Sequence, residues 1–303
     1  MGISIVSVDA LRREIADGEH GCTVVDARPR GHFLEGHIPG AVSLEWEEWC
    51  GAPPRGADPV LSQPGYWGTL ADAGPAWYAD GFARDGITSE QPIVVYADGV
   101  ASKGREGRVA WMLLYLGAAD VRLLDSGWTA WLEQHGAIAT WSAPPRPGRF
   151  AIERPRSGRR CTHAQLAQAY RAGSLPILVD TRTPAEFEGD CYDYLPRKGR
   201  LPDALLFPFD DLFDGSHHYV GRETYLARLP DGMRGGSRAN GDGAGPGQGL
   251  VMYCEVGVRA SLTALLHETY TGEVTGVFDG SLIEWALHAD LPVLGPVYPL
   301  APQ

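Results

Sequence analysis

The chain has no CxxC pair, no cysteine and histidine at metal-ligand spacing, no basic leader and no apolar run of membrane length. Each gap removes a class of function. Its five cysteines, Cys22, Cys50, Cys161, Cys191 and Cys254, are odd in number and widely spaced, which argues against a disulfide framework and against a zinc site. Cationic excess is missing too: the formal net charge is −12, so general affinity for nucleic acid or an anionic membrane is disfavoured, and an anionic substrate needs a local positive site. From Met1 to Asp9 an acid arrives before any leader is complete, and no segment reaches bilayer length, so the expected location is cytoplasmic.

What is present is repetition. A chain of 303 residues is too long for one ordinary core and suits two, and its 44% hydrophobic and 21% charged residues are those of a folding chain. Val25-Asp26-Ala27-Arg28 is answered by Val179-Asp180-Thr181-Arg182, and Gly36-His37-Ile38-Pro39-Gly40-Ala41 by Gly199-Arg200-Leu201-Pro202-Asp203-Ala204. Val94-Val95-Tyr96-Ala97 returns as Val251-Met252-Tyr253-Cys254, and Asp125-Ser126-Gly127-Trp128 as Asp279-Gly280-Ser281-Leu282, followed by Trp131 and Trp285 respectively. Matches in one order at nearly constant offset indicate a duplicated unit.

Within the second copy the apolar runs 177–179, 205–207, 250–253 and 274–278 read as buried strands, and helix patterns lie around 163–172, 222–228, 257–269 and 281–287. Strands apolar on both faces and separated by helices predict an α/β fold with a mainly parallel sheet covered on both sides in each copy. The expected boundaries are 1–138 for the first domain, 139–160 for a linker rich in Pro, Arg and Gly, and 161–303 for the second. The Gly-rich stretch from Arg234 to Gly249 reads as a surface loop.

Reactive groups of open α/β sheets lie beyond the carboxyl ends of strands. Cys254 is there. It follows Leu250-Val251-Met252-Tyr253 directly, and Glu255-Val256-Gly257-Val258-Arg259 turns into a helix. The loop N–H groups and the positive end of that helix favour nucleophilic attack by sulfur, and Gly257 gives the backbone freedom to wrap several amides around it. Read from spacing alone, the alternative is a small buried hydrophobe at a strand end.

Asp26-Ala27-Arg28, Phe33, Gly36 to Ala41, the strand before Cys254, the loop 254–259 and Asp279-Gly280 with Trp285 resemble the tandem-domain rhodaneses, over nearly the whole chain. The resemblance implies two rhodanese-like domains and a sulfurtransferase in which Cys254 carries a sulfane sulfur as a persulfide. The sulfur would pass from thiosulfate or a related small anionic donor to cyanide or a thiol. Residues Glu255, Val256, Gly257, Val258 and Arg259 would bind substrate, and neither a metal nor an organic cofactor is implied. Ala97 stands where the first copy would need its cysteine, so that copy is expected to be inert and to form one wall of a cleft, through Trp46, Trp49, Tyr66 or Trp67. Phosphatases of the same fold have one residue more between cysteine and arginine than the Glu255–Val258 segment here, and the smaller ring suits sulfur.

The chain also departs from that pattern. Glu255 and Val256 follow the cysteine where thiosulfate enzymes have basic residues and mercaptopyruvate enzymes have glycine and serine. Glu186 occupies the place of a substrate-binding arginine. A carboxylate beside the thiol repels an anionic donor unless turned to solvent, and Val256 lacks the hydroxyl of the 3-mercaptopyruvate relay. Compensation is expected from Arg259 and from the basic loop of Arg197, Lys198 and Arg200. The alternatives are a persulfide relay loaded by a basic partner protein and, less favoured by Val256, a 3-mercaptopyruvate sulfurtransferase. Asp180 and Arg182 are expected to be a structural pair, His37 a packing residue, and Cys191 either an idle loop cysteine or a resolving thiol.

Overall fold

A computed structural model describes residues 2–16, 21–141, 145, 147–190, 194–195, 197–234 and 249–295. Cys191 and nearly all of the Gly-rich stretch, 235–248, lie outside the described residues. The first unit runs β1 (Gly2–Val6), α1 (Val8–Ala16), β2 (Thr23–Asp26), α2 (Arg30–Glu35), β3 (Val42–Ser43), α3 (Pro75–Arg84), β4 (Ile93–Tyr96), α4 (Arg105–Tyr115), β5 (Asp120–Leu124) and α5 (Gly127–Glu133). The second repeats the plan with β6 (Arg160–Cys161), α6 (His163–Arg171), β7 (Ile177–Asp180), α7 (Pro184–Glu188), β8 (Leu205–Leu206), α8 (Arg222–Arg228), α9 (Asp231–Arg234), β9 (Leu250–Tyr253), α10 (Val258–Thr271), β10 (Gly276–Phe278) and α11 (Ser281–Ala286).

Each unit holds a five-stranded sheet, ordered β1-β5-β4-β2-β3 and β6-β10-β9-β7-β8, with every pairing parallel. The most apolar runs, Ile93-Val94-Val95-Tyr96 and Leu250-Val251-Met252-Tyr253, are buried along their whole length in the sheet interiors. They have no polar face to turn outward, so only a position covered on both sides satisfies them.

The repeated motifs do the same work twice. Arg28 grips Asp26 and donates to the Gly36 carbonyl at 2.7 Å, and Arg182 grips Asp180 and donates to the Gly199 carbonyl at 2.7 Å. Tyr96 Oη accepts the Ile38 N–H at 3.2 Å, and Tyr253 Oη accepts the Leu201 N–H at 3.1 Å. Each buried pair ties the end of one strand to the loop leading into the next, a structural role in which every charge has a partner. His37 is likewise a packing residue, stacked on Phe33 with Nδ1 2.8 Å from the Phe33 carbonyl.

The units meet along α4 and α10. Gly107 makes the closest approach: a Cβ there would lie 2.3 Å from the Leu262 Cβ, so the two helices touch backbone to side-chain root. The connecting chain is pinned as well, Ala139 to His37 in a bridge, Phe150 edge-on against Phe82, and Arg159 to Glu268 at 2.6 and 2.7 Å. No helix among the described residues is long and apolar enough to cross a membrane.

Candidate active site

Cys254 is the first residue past β9. Its N–H donates to Ser281 Oγ at 3.1 Å, and that hydroxyl donates to the Phe278 carbonyl at 2.7 Å, so the start of α11 fixes the base of the loop. The carbonyls of Cys254 and Glu255 accept from Leu282 N and Ile283 N, both at 3.2 Å. Held from behind, the loop turns at Gly257 with φ 81°, a left-handed geometry that glycine adopts without strain. The turn aims the Gly257 N–H at Cys254 Sγ, 3.1 Å away. A fixed amide at that distance, backed by the N-terminus of α10, stabilises negative charge on sulfur as it develops.

The residue is 1% exposed, yet its surface forms part of the floor of a cleft of about 740 Å³. Trp46, Tyr66, Val100 and Lys103 of the first unit face Glu186, Phe209 and residues 254–256, 258 and 259 of the second across it. Two contacts seat the first unit so close. The Leu70 N–H donates to buried Asp279 Oδ2 at 2.8 Å, and Gly68 lies so near that a Cβ would come within 1.8 Å of the Val256 carbonyl oxygen. Trp46 and Tyr66 are therefore cleft residues as expected, whereas Trp49 packs with Phe82 in the core and Trp67 lines a separate cavity beside Cys50.

Charges in the cleft are mostly spoken for. Arg259 forms a two-pronged ion pair with Glu186, at 2.7 and 2.8 Å, and Glu186 Oε2 also accepts the Thr183 N–H at 2.7 Å in a capping box at the start of α7. Burial works to raise the Glu186 carboxyl, but the hydrogen bonds and charge of Arg259 outweigh it and hold Glu186 at about 2. Glu255 has no such grip. Its Oε2 is 3.9 Å from Arg259 Nη2, and burial pushes its carboxyl up to about 7, with Arg259 opposing and Glu186 adding to the rise.

Residues 7–134 match the rhodanese-like domain family. SseB of Mycobacterium tuberculosis, named as a candidate thiosulfate sulfurtransferase, is 30% identical over 274 residues, covering 88% of this chain and 86% of that one. The chain belongs to the rhodanese family. The thiosulfate sulfurtransferase of Corynebacterium glutamicum is 27% identical over 299 residues, 95% of this rhodanese and 89% of that protein. SseA of Escherichia coli, described among 3-mercaptopyruvate sulfotransferases, shares the fold with a TM-score of 0.68 at 20% identity, covering 91% of this chain and 98% of that one.

In this rhodanese the predicted loop, Cys254 to Arg259, is brought together at one site, but the basic loop is spent elsewhere. Arg197 caps the end of α11, donating to the carbonyls of Trp285, Ala286 and His288, and also to Leu291. Arg200 pairs with Glu188 at 3.1 Å and lies over the Phe187 ring. Neither they nor Lys198 line the cleft. Glu255 is not turned to solvent either, as a harmless carboxylate would be; it stays in the cleft wall, where burial pushes its carboxyl up to about 7 and favours the protonated form below that pH. Sequence reasoning missed Lys103 and Arg105, the cations the first unit brings to the cleft. The Thr183-Pro184-Ala185-Glu186 spacing was a readable signal that Glu186 would be held at a helix start.

Proposed function

We propose that the protein moves a sulfane sulfur from thiosulfate, or a related small donor, to cyanide or a thiol acceptor through a persulfide on Cys254, and that the unit spanning 1–138, with Ala97 in place of a cysteine, is a catalytically inert wall joined by 139–160 to a catalytic unit spanning 161–303. The observation that carries this reading is the Gly257 N–H set 3.1 Å from Cys254 Sγ on the floor of the interdomain cleft. Sγ, as thiolate, attacks the sulfane sulfur; the donor's S–S bond breaks and its electron pair leaves on sulfite. The new Sγ–S bond is then broken when cyanide attacks the outer sulfur, giving thiocyanate and returning the electron pair to Sγ beside the Gly257 amide. Phosphoryl chemistry fits poorly, because both prongs of the Arg259 guanidinium face Glu186 and are not presented to a tetrahedral anion.

Incubation with thiosulfate should add the mass of one sulfur atom to the intact chain, and cyanide should remove it. Cys254→Ser should show no gain. A gain that persists in that variant, or no gain in the wild-type protein, would overturn the reading.

A further inference from the structure

The cleft is built for more than an inorganic dianion. At about 740 Å³ it lies within the range of roughly 300–1,000 Å³ that holds organic ligands, far beyond the few heavy atoms of thiosulfate. Trp46, Tyr66, Val100, Tyr194 and Phe209 supply apolar and aromatic wall, with Tyr66 and Tyr194 edge to face at 5.3 Å between ring centres. Glu255, on the same wall beside the thiol, opposes a doubly negative group there once it ionises.

Among the described residues three cations, Lys103, Arg105 and Arg259, reach the cleft, and two are engaged. Arg259 faces Glu186. Arg105 is held by Glu47 at 2.6 and 2.7 Å and by the Ala27 carbonyl at 2.9 Å. The Lys103 ammonium has no hydrogen-bond or ion-pair partner among the described residues, and its charge is felt at Glu255, where it opposes the rise of that carboxyl. Its placement is enforced. Lys103 has φ 53° and Gly104 φ 89°, consecutive left-handed residues that fold the chain sharply, and a Cβ at 104 would lie 3.1 Å from Phe209 and 3.2 Å from the Val258 carbonyl oxygen. The turn thus rests directly on the start of α10, next to the catalytic loop. Left-handed backbone is uncommon for lysine, and such strain persists where the surroundings over-determine it.

We infer that the preferred sulfur donor is an organic monoanion with an apolar or aromatic body, of the thiosulfonate class, whose sulfonyl oxygens are held by Lys103 of the first unit while its sulfane sulfur meets Cys254 of the second. The inference rests on the sulfurtransfer reading. With a thiosulfonate, Cys254 thiolate takes the outer sulfur, the S–S bond breaks, and the organic sulfinate leaves with the electron pair; one negative charge enters with the donor and one departs with the sulfinate.

The test is steady-state sulfur transfer to cyanide from benzenethiosulfonate, methanethiosulfonate and thiosulfate, in the wild-type protein, in Lys103→Asn, which keeps a residue tolerant of left-handed backbone, and in Tyr66→Ala. Benzenethiosulfonate should exceed both other donors in kcat/KM by about tenfold or more, the scale of discrimination an apolar pocket gives. Lys103→Asn should raise the KM of each donor about fivefold with little change in kcat, as loss of one partly screened charge requires. Tyr66→Ala should narrow the gap between the benzene and methane donors. Parity of thiosulfate with benzenethiosulfonate, or an unmoved KM in Lys103→Asn, would sink the inference while leaving sulfur transfer intact. Failure of every donor to load Cys254 would instead remove the reading beneath it.

Discussion

At the scale of single residues, two glutamates close to one arginine behave oppositely because geometry, not sequence, decides which is gripped. Glu186 takes both prongs of Arg259 and a backbone amide, and is held near 2; Glu255, one step from the thiol, is left without them and rises to about 7. Below pH 7 Glu255 is then largely neutral and tolerates an anionic donor; above it the carboxylate repels one. The expected kcat/KM for thiosulfate therefore falls as pH rises through about 7, by up to roughly tenfold, and Glu255→Gln should lose that falling limb. A pH profile of the two proteins checks it, and an identical limb in both would assign it elsewhere. The identity of both acids was plain in the sequence; their inequality was not, since it depends on distances between α7 and α10 that no local pattern encodes. Arg197 teaches the same lesson. A run of basic residues reads as solvated or substrate-facing, yet this one satisfies the carbonyls left over at a helix end.

At the scale of elements, the strand-to-helix turns shape the cleft around Cys254. The apolar runs before Ala97 and Cys254 were legible as buried strands because nothing in them is charged and no polar residue alternates, and the turn at Gly257 was legible because a tight loop needs a residue without Cβ. Short edge elements such as β6 and α7 escaped notice: two or five residues are too few to show a period. Gly257→Ala should be severe for two reasons, since φ is 81° and the added Cβ would sit 2.4 Å from the Asp279 carbonyl oxygen. Relief requires the loop to move, taking the N–H away from Sγ. The expected result is a loss of about 10²–10³ in kcat, the usual weight of one oriented amide, with a smaller change in donor KM. Single-turnover sulfur loading measures it directly. The turn at Lys103 and Gly104 was invisible from sequence because its partner, the start of α10, lies in the other repeat.

At the scale of the whole molecule, one buried core runs across both units, a second lies within the first unit, and the interface contains a carboxylic acid. Glu106, 1% exposed, accepts hydrogen bonds from Ser102 Oγ at 2.5 Å and from Tyr219 Oη of the second unit at 3.2 Å, and burial lifts it to about 7. Its folded-state value lies above its unfolded one, so between about pH 4.5 and 7 the native state binds more protons and stability falls as pH rises. Glu106→Gln should be more stable than the wild-type protein at pH 8 by about 1–3 kcal/mol, with the difference closing by pH 4.5; thermal melts at the two pH values test this. The duplication itself was written in the chain, through Asp26 and Asp180, Tyr96 and Tyr253, because each repeat needs the same buried bonds to hold its own sheet. How the repeats face one another was not, since Gly107 against Leu262 has no counterpart pattern to read.

The depth of Cys254 sets a limit on traffic. With almost none of the residue reachable from outside, a donor following the proposed route has to present its transferable sulfur foremost. On the proposed route, a protein acceptor would have to extend a narrow segment or a tethered small thiol into the cleft that Tyr66 and Phe209 help to line.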